Sequence, residues 1–312
     1  MKRAGGKTGN SNSNGRNGEA GSGRGVPRRG AAAADNLPQV LETPGGQVRL
    51  LPDVDRPGGF LLTVAGTPQS FVDLRDPDYL EFEYVRRLGH VIDLAFPERA
   101  ALDAVHLGGG ALTLPRYVAH TRAGSQQLAV ELDPLLIEFV RRHLPWDRRW
   151  RLRVRAADAR AALETLREAA WDLVVSDVFA GARTPRQVTS VEYVRSAARA
   201  LRPGGVYAAN LADGAPLSFA RAQAATAAAV FEHVAVVAEP SVLRGRRFGN
   251  LVLAASAAPL PLAALSRRAA GDPFPARLLA GSELADWCAG AVAVTDEVSA
   301  DSPAPPPGAF EV

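Results

Sequence analysis

Apolar residues follow two kinds of pattern along this chain. From Gln47 to Leu74 they alternate with polar ones around turn signals, in VRLLPDV, GGFLLTVAG and PQSFVDL, which predicts a small antiparallel hairpin or meander. Residues 77–95 place Leu80, Phe82, Val85, Leu88, Val91 and Ile92 close to helical spacing and predict an amphipathic helix. From residue 103 onward, short apolar runs alternate with helical ones. Strands are expected at 104–107, 128–132, 151–155, 171–177, 206–211, 234–238 and 248–255, the last two joined by a turn carrying Arg244, Arg246 and Arg247. Helices are expected between them, at 112–121, 134–140, 158–167, 188–201 and 215–231. Asp133 and Pro134 have the chemistry of an N-cap and first helical position, and Pro203-Gly204-Gly205 is a stop signal. Seven strands alternating with helices until a final antiparallel pair predict a doubly wound α/β sheet, Rossmann-like, preceded by the small β segment.

The ends read differently. Residues 1–35 are Gly, Ser, Asn and Arg with almost no large apolar side chain, so a disordered basic tail is expected. Beyond Ser256 proline and alanine increase, with one helix expected around Ala276 to Cys288. Residues 299–312, SADSPAPPPGAFEV, look too proline-rich to pack and are expected to form an extended tail. The expected organisation is therefore 1–35 tail, 47–76 β segment, 77–256 nucleotide-binding domain, 257–298 extension and 299–312 tail. No internal repeat is evident.

Composition narrows the chemistry. The net charge of +3 is misleading, because residues 1–35 alone carry +5 and leave −2 for the rest. A nucleic-acid-binding body is not indicated. Cys288 is the single cysteine, and the five histidines (His90, His106, His120, His143, His233) lack ligand spacing, so neither a disulfide framework nor a metal site is expected. No apolar run is long enough to span a bilayer and the N-terminus lacks the apolar core of a signal peptide, so the expectation is a cytoplasmic protein without a membrane partner.

The candidate chemistry centres on Asp103 to Asp133. A strand passes into Gly108, Gly109 and Gly110, then a helix, then a second strand ending near Glu131, about 20 positions after the glycines, as in a nucleotide-binding βαβ unit. Glycines let the backbone turn sharply and approach a ligand. A carboxylate at the tip of the second strand can accept hydrogen bonds from both ribose hydroxyls. Asp158 opens a helix after the third strand, and the apolar strand WDLVVSD ends in Asp177, at the carboxyl edge where open α/β sheets bind ligands.

This order of strands, with GGG after the first, an acid ending the second, Asp-Ala after the third, an acid ending the fourth and LRPGG before the fifth, resembles the class I S-adenosylmethionine-dependent methyltransferase fold. Together with Gln69 and the helix bearing Glu81-Phe82-Glu83-Tyr84, it resembles the spermidine synthase (polyamine aminopropyltransferase) family, in particular its bacterial spermidine-synthase-like branch, over residues 47–256. The resemblance implies that Gly108, Gly109 and Gly110 line the methionine-like part of the ligand, that Glu131 holds the ribose, and that Asp158 with Ala159 contacts the adenine amino group. It also implies that Gln69 and Tyr84 face the reaction centre and that Asp177 takes the place of the catalytic aspartate. The co-substrate implied is S-adenosylmethionine or its decarboxylated form without a metal, the partner a small-molecule amine or other acceptor, and the assembly a homodimer.

Two positions depart from the family pattern: Ala111 stands where an acid follows the glycines, and Ala180 where a second acid follows the fourth strand. Aminopropyl transfer to an amine, methyl transfer to a less cationic acceptor, and a non-catalytic relative keeping the fold all remain open at this point. A dinucleotide oxidoreductase is disfavoured by the final antiparallel pair and LRPGG.

Overall fold

The computed structural model describes residues 37–307. The basic tail expected at 1–35 lies outside the described residues. Four strands come first, β1 (Gln39–Thr43), β2 (Gly46–Pro52), β3 (Gly59–Val64) and β4 (Thr67–Asp73), paired in that order as an antiparallel meander. The meander therefore starts earlier than the alternating pattern suggested. Its inner face, with Val48, Leu50, Leu62 and Val72, packs with Ala111, Leu112, Leu136 and Phe139 of the large α/β region.

Helix α1 (Glu83–Ala95) is shorter than the apolar spacing of 77–95 implied, because residues 77–82 run as turns and extended chain. Its first turn carries Tyr84. The large sheet then builds from β5 (Asp103–Leu107), α2 (Thr113–Thr121), β6 (Gln126–Glu131), α3 (Pro134–His143), β7 (Arg151–Ala156), α4 (Ala159–Glu164), β8 (Trp171–Ser176), α5 (Val191–Ala200), β9 (Leu201–Asp213), α6 (Ser218–Ala228), β10 (His233–Ala238), the single turn α7 (Pro240–Leu243) and β11 (Gly249–Ser256). Asp133 caps α3 through Leu135 N and Leu136 N, and Ser190 caps α5 through Tyr193 N. Each such cap contributes about 1 kcal/mol.

Strands β7, β6, β5, β8 and β9 are parallel neighbours in that order, and β11, β10 and β12 (Arg277–Ala280) extend the sheet antiparallel beyond β9. This is the expected doubly wound α/β fold with its antiparallel closing pair, plus an eighth strand. That strand corrects the helix expected at Ala276–Cys288: Arg277–Ala280 pairs with β10, and only Gly281–Trp287, here α9, is helical after α8 (Leu262–Ala270). The fifth parallel strand is also longer than expected. Leu201 already pairs with Trp171, so the strand runs through Pro203-Gly204-Gly205 rather than starting after it.

The described part of the C-terminal stretch, expected as an unpacked tail, is docked on the protein at Ser302. Ser302 is fully buried, its Oγ accepts from Thr184 N at 2.9 Å, and its own N–H donates to Thr184 O at 2.9 Å. Arg183 Nε donates to Ser302 O and Arg186 N to Asp301 Oδ1. Proline removes N–H donors but leaves carbonyls and serines free to bond, and this stretch is held by hydrogen bonds. Among the described residues no helix is long and apolar enough to cross a membrane.

Candidate functional site

A cavity of about 580 Å³ opens along the carboxyl edge of the parallel strands, walled on the other side by the small meander. All nine residues singled out in the sequence line it: Gln69, Tyr84, the three glycines, Glu131, Asp158, Ala159 and Asp177.

The glycine turn is dictated by contact. Gly108 has φ +92°, and a Cβ there would lie 2.0 Å from Asp177 O, so the β5 and β8 ends can meet only with glycine at this point. Gly110 has φ +46°, and its absent Cβ would meet Ser70 Oγ at 2.4 Å. The loop's amides have partners inside the protein. Gly109 N and Gly110 N donate to Glu131 Oε2 at 3.0 and 3.2 Å, and Ala111 N donates to Ser70 Oγ at 3.1 Å. Glu131 Oε1 accepts from Asp133 N at 3.1 Å. Oε2 thus accepts two bonds, and Oε1, with one, retains acceptor capacity.

One strand further out, Asp158 caps α4 through Ala161 N at 2.9 Å using Oδ1, and Ala159 follows it, buried. On the other side of the glycines, Asp177 N donates to Leu107 O at 2.8 Å, which fixes the first residue after β8. Its Oδ1 accepts from Asn210 Nδ2 at 2.9 Å, and the Tyr84 hydroxyl faces the same carboxylate. Burial pushes the Asp177 carboxyl up to about 6, against the opposing pull of the hydrogen bonds from Asn210 and Tyr84. Burial, reinforced by the Asp177 charge, pushes the Tyr84 phenol well above its ordinary value, so it stays protonated. Gln69 Nε2 reaches from the meander to Gly181 O at 3.3 Å and ties the two walls together. His106 also lines the cavity. It is buried, bonded to Gln127 Oε1 at 2.9 Å and pushed down to about 4 by burial, so it is neutral at neutral pH.

Among the described residues, the charged side chains lining the cavity are thus Glu131, Asp133, Asp158 and Asp177, all carboxylates.

Residues 81–242 match the spermine/spermidine synthase domain family. A probable spermidine synthase from Corynebacterium glutamicum is 35% identical in a match covering 83% of this chain and 96% of that one, with a TM-score of 0.78. The chain belongs to the spermine/spermidine synthase family. Two more distant structures share its fold. A spermidine synthase in complex with the transition-state analogue AdoDATO is 16% identical, with TM-score 0.54 and coverage of 76% of this chain and 78% of that one. A spermidine synthase from Thermotoga maritima is 15% identical, with TM-score 0.53 and coverage of 76% and 79%. No curated protein matches.

The structure locates the two alanines singled out in the sequence. Ala111 is fully buried and packs in the cluster under the meander, so its side chain faces core rather than cavity. Ala180 is on the exposed lip, in a tight turn where its N–H donates to Arg183 O at 2.8 Å. Two residues that touch the site were missed in the sequence. Ser70 holds the glycine loop and Asn210 holds Asp177. Asn210 is a polar residue inside the apolar run of β9, a signal that could have found it, whereas Ser70 lies in the largely polar strand TPQSFVD, which gives no such signal.

Proposed function

We propose that the protein transfers an aminopropyl group from decarboxylated S-adenosylmethionine to an amine. The observation that carries this reading is that, among the described residues, every charged side chain lining the cavity is a carboxylate, while the loop amides that would otherwise receive an anion are engaged by Glu131 and Ser70. The decarboxylated donor brings a sulfonium and an ammonium, both cations. The intact donor adds a carboxylate that would be desolvated among like charges, an unfavourable arrangement.

In this reading Glu131 accepts from the ribose hydroxyls, Asp158 and the backbone after it meet the adenine amino group, and Gly108 to Gly110 leave room for the sulfonium arm. Gln69, Tyr84 and Asp177 surround the carbon beside the sulfur. The acceptor nitrogen attacks that carbon with its lone pair, so a C–N bond forms as the C–S bond breaks. The breaking pair goes to sulfur, which leaves as the neutral thioether of methylthioadenosine. Because the acceptor arrives as an ammonium, Asp177 first takes one of its protons and passes it to water, which frees that lone pair, and the product leaves as a secondary ammonium.

Alkyl amines ordinarily hold their protons to about pH 10. Burial beside a sulfonium lowers that value while burial raises that of Asp177, and both shifts bring the proton transfer nearer to balance. The remaining catalytic advantage is alignment of nitrogen, carbon and sulfur. The substrates are small metabolites, in keeping with a cytoplasmic enzyme.

Parallel calorimetric titrations of decarboxylated and intact S-adenosylmethionine test the reading. Tighter binding of the decarboxylated form by ~10-fold or more is expected, an energy of about 1.4 kcal/mol. Tighter binding of the intact form overturns the proposal in favour of methyl transfer, and binding of neither leaves a non-catalytic relative.

A further inference from the structure

The character of the cavity changes from one side to the other. Following the strand order, the groups at the carboxyl edge are Asp158 after β7, Glu131 at the end of β6, the glycines after β5, Asp177 after β8, Asn210 in β9 and Asn250 in β11. Acids occupy the β7 to β8 side and neutral amides the β9 to β11 side. Asn250 pairs with Ala212, two residues beyond Asn210 toward the same edge, so it continues the wall past Asp177. The apolar Val178 and Phe179 face the same space.

Glu83, beside Tyr84, is not among the residues lining the cavity, and two carboxylates on neighbouring elements are committed elsewhere. Asp213 is buried and accepts from Gly214 N and Ala220 N, each at 2.8 Å. Glu239 pairs with Arg247 and with the buried Arg87.

We infer that the acceptor is an amine with a single cationic nitrogen, held at Asp177, whose remainder is uncharged and extends along Asn210 and Asn250. The inference rests on the aminopropyl-transfer reading for the identity of the donor. A nucleophilic nitrogen between Asp177 and the donor has its counter-charge there. A second ammonium a few carbons away would meet amides and apolar carbon, whose dipoles replace only part of the lost hydration. A hydroxyl, ether or amide at the same distance is matched by the two asparagines, each of which both donates and accepts.

Two amines of equal length test the inference: 4-aminobutan-1-ol and 1,4-diaminobutane, which differ in the charge of the far end. With decarboxylated S-adenosylmethionine as donor and methylthioadenosine release as the readout, kcat/KM for the amino alcohol is expected to exceed that of the diamine by ~10-fold or more. Equal rates, or preference for the diamine, overturn the inference.

The same two amines are also titrated calorimetrically into the protein saturated with methylthioadenosine, or into the free protein if that nucleoside does not bind. This second order of affinities decides the acceptor class even if the donor reading fails, so the two failures are distinguishable. Tighter binding of the amino alcohol supports the inference, and equal binding, tighter diamine binding or no binding of either counts against it. Asn250→Asp adds one carboxylate at nearly constant volume and should swing the ratio toward the diamine by ~10-fold. An unchanged ratio in the folded variant argues against the distal half lying along β11.

Discussion

Asn210 Nδ2 donates to Asp177 Oδ1 at 2.9 Å, and this bond joins the carboxyl ends of β8 and β9 at the point where the cavity changes from acidic to neutral. A hydrogen bond to a carboxylate favours its charged form. Asn210 therefore restrains a carboxyl that burial has already raised to about 6. Asn210→Ala should raise the apparent pKa of the acidic limb of kcat/KM further and lower the rate at pH 7 by ~10-fold or more. A pH–rate profile checks both effects. A variant with a lower rate and an unmoved limb would mean that Asn210 serves packing alone.

The same raised carboxyl has a stability consequence with a definite sign. Between about pH 4 and pH 6 the folded protein holds at Asp177 a proton that the unfolded chain has released, so stability falls as pH rises through this window and stays lowered above it. Asp177→Asn removes the penalty. The variant should be inactive yet more stable than the parent at pH 8, by on the order of 1–3 kcal/mol, with the difference shrinking toward pH 4. Denaturant unfolding at the two pH values measures it. A variant less stable at both would show that the carboxylate is paid for by contacts beyond Asn210 and Tyr84.

The glycines make a sharper stability test. A Cβ at Gly108 would press on Asp177 O at 2.0 Å with φ at +92°, whereas Gly204 has φ +80° and nothing within 4 Å of its Cβ position. Gly204→Ala should cost only the left-handed backbone penalty, about 1–2 kcal/mol. Gly108→Ala adds overpacking of backbone against backbone, on the order of 3 kcal/mol or more in total. Thermal melts of the two variants rank them. Equal shifts would contradict the close approach of β5 and β8.

What the sequence could and could not reveal follows from how local each signal is. Glu131 and Asp177 end apolar runs that read as buried strands, so their place at the sheet's edge could be read from sequence alone. Asn210 lies within such a run, and only the register of β9 against β8 shows which neighbour it meets. Strand β12 is four residues long, RLLA, and exists because β10 has a free edge to pair with, which no pattern within 277–280 encodes. The burial of Ser302 depends on Thr184, 118 residues away, through bonds that a hydrophobicity pattern does not register. Ala111 shows the converse. Its departure from the family pattern was plain in the sequence, but the direction of its side chain into the core was not.

The contact at Ser302 leads to the last prediction. The loop between β8 and α5 supplies Ala182, Pro185 and Gln187 to the cavity wall, and the C-terminal segment holds this loop at Arg183, Thr184 and Arg186. Upstream, Arg160 pairs with Asp296 through two bonds of 2.6 Å, and Asp296 N donates to Glu192. The Arg160 hydrogen bonds draw the Asp296 carboxyl down to about 2, so this pair contributes above about pH 4 and is lost as pH falls toward 2. Solvent exposure limits it to about 1 kcal/mol or less.

Deleting residues 299–312 removes the Ser302 and Asp301 contacts while keeping the Asp296 pair. The loop should then become sensitive to protease, and the acceptor KM should rise by ~10-fold while donor affinity at the β5 to β7 side changes little. Ser302→Ala keeps the two backbone bonds and loses the hydroxyl acceptor to Thr184 N, so it should show a smaller version of the same split, near 1 kcal/mol. A truncation that weakens donor and acceptor equally would mean that the segment supports the whole fold. A selective loss at the acceptor would make it part of the wall against which the amine is positioned.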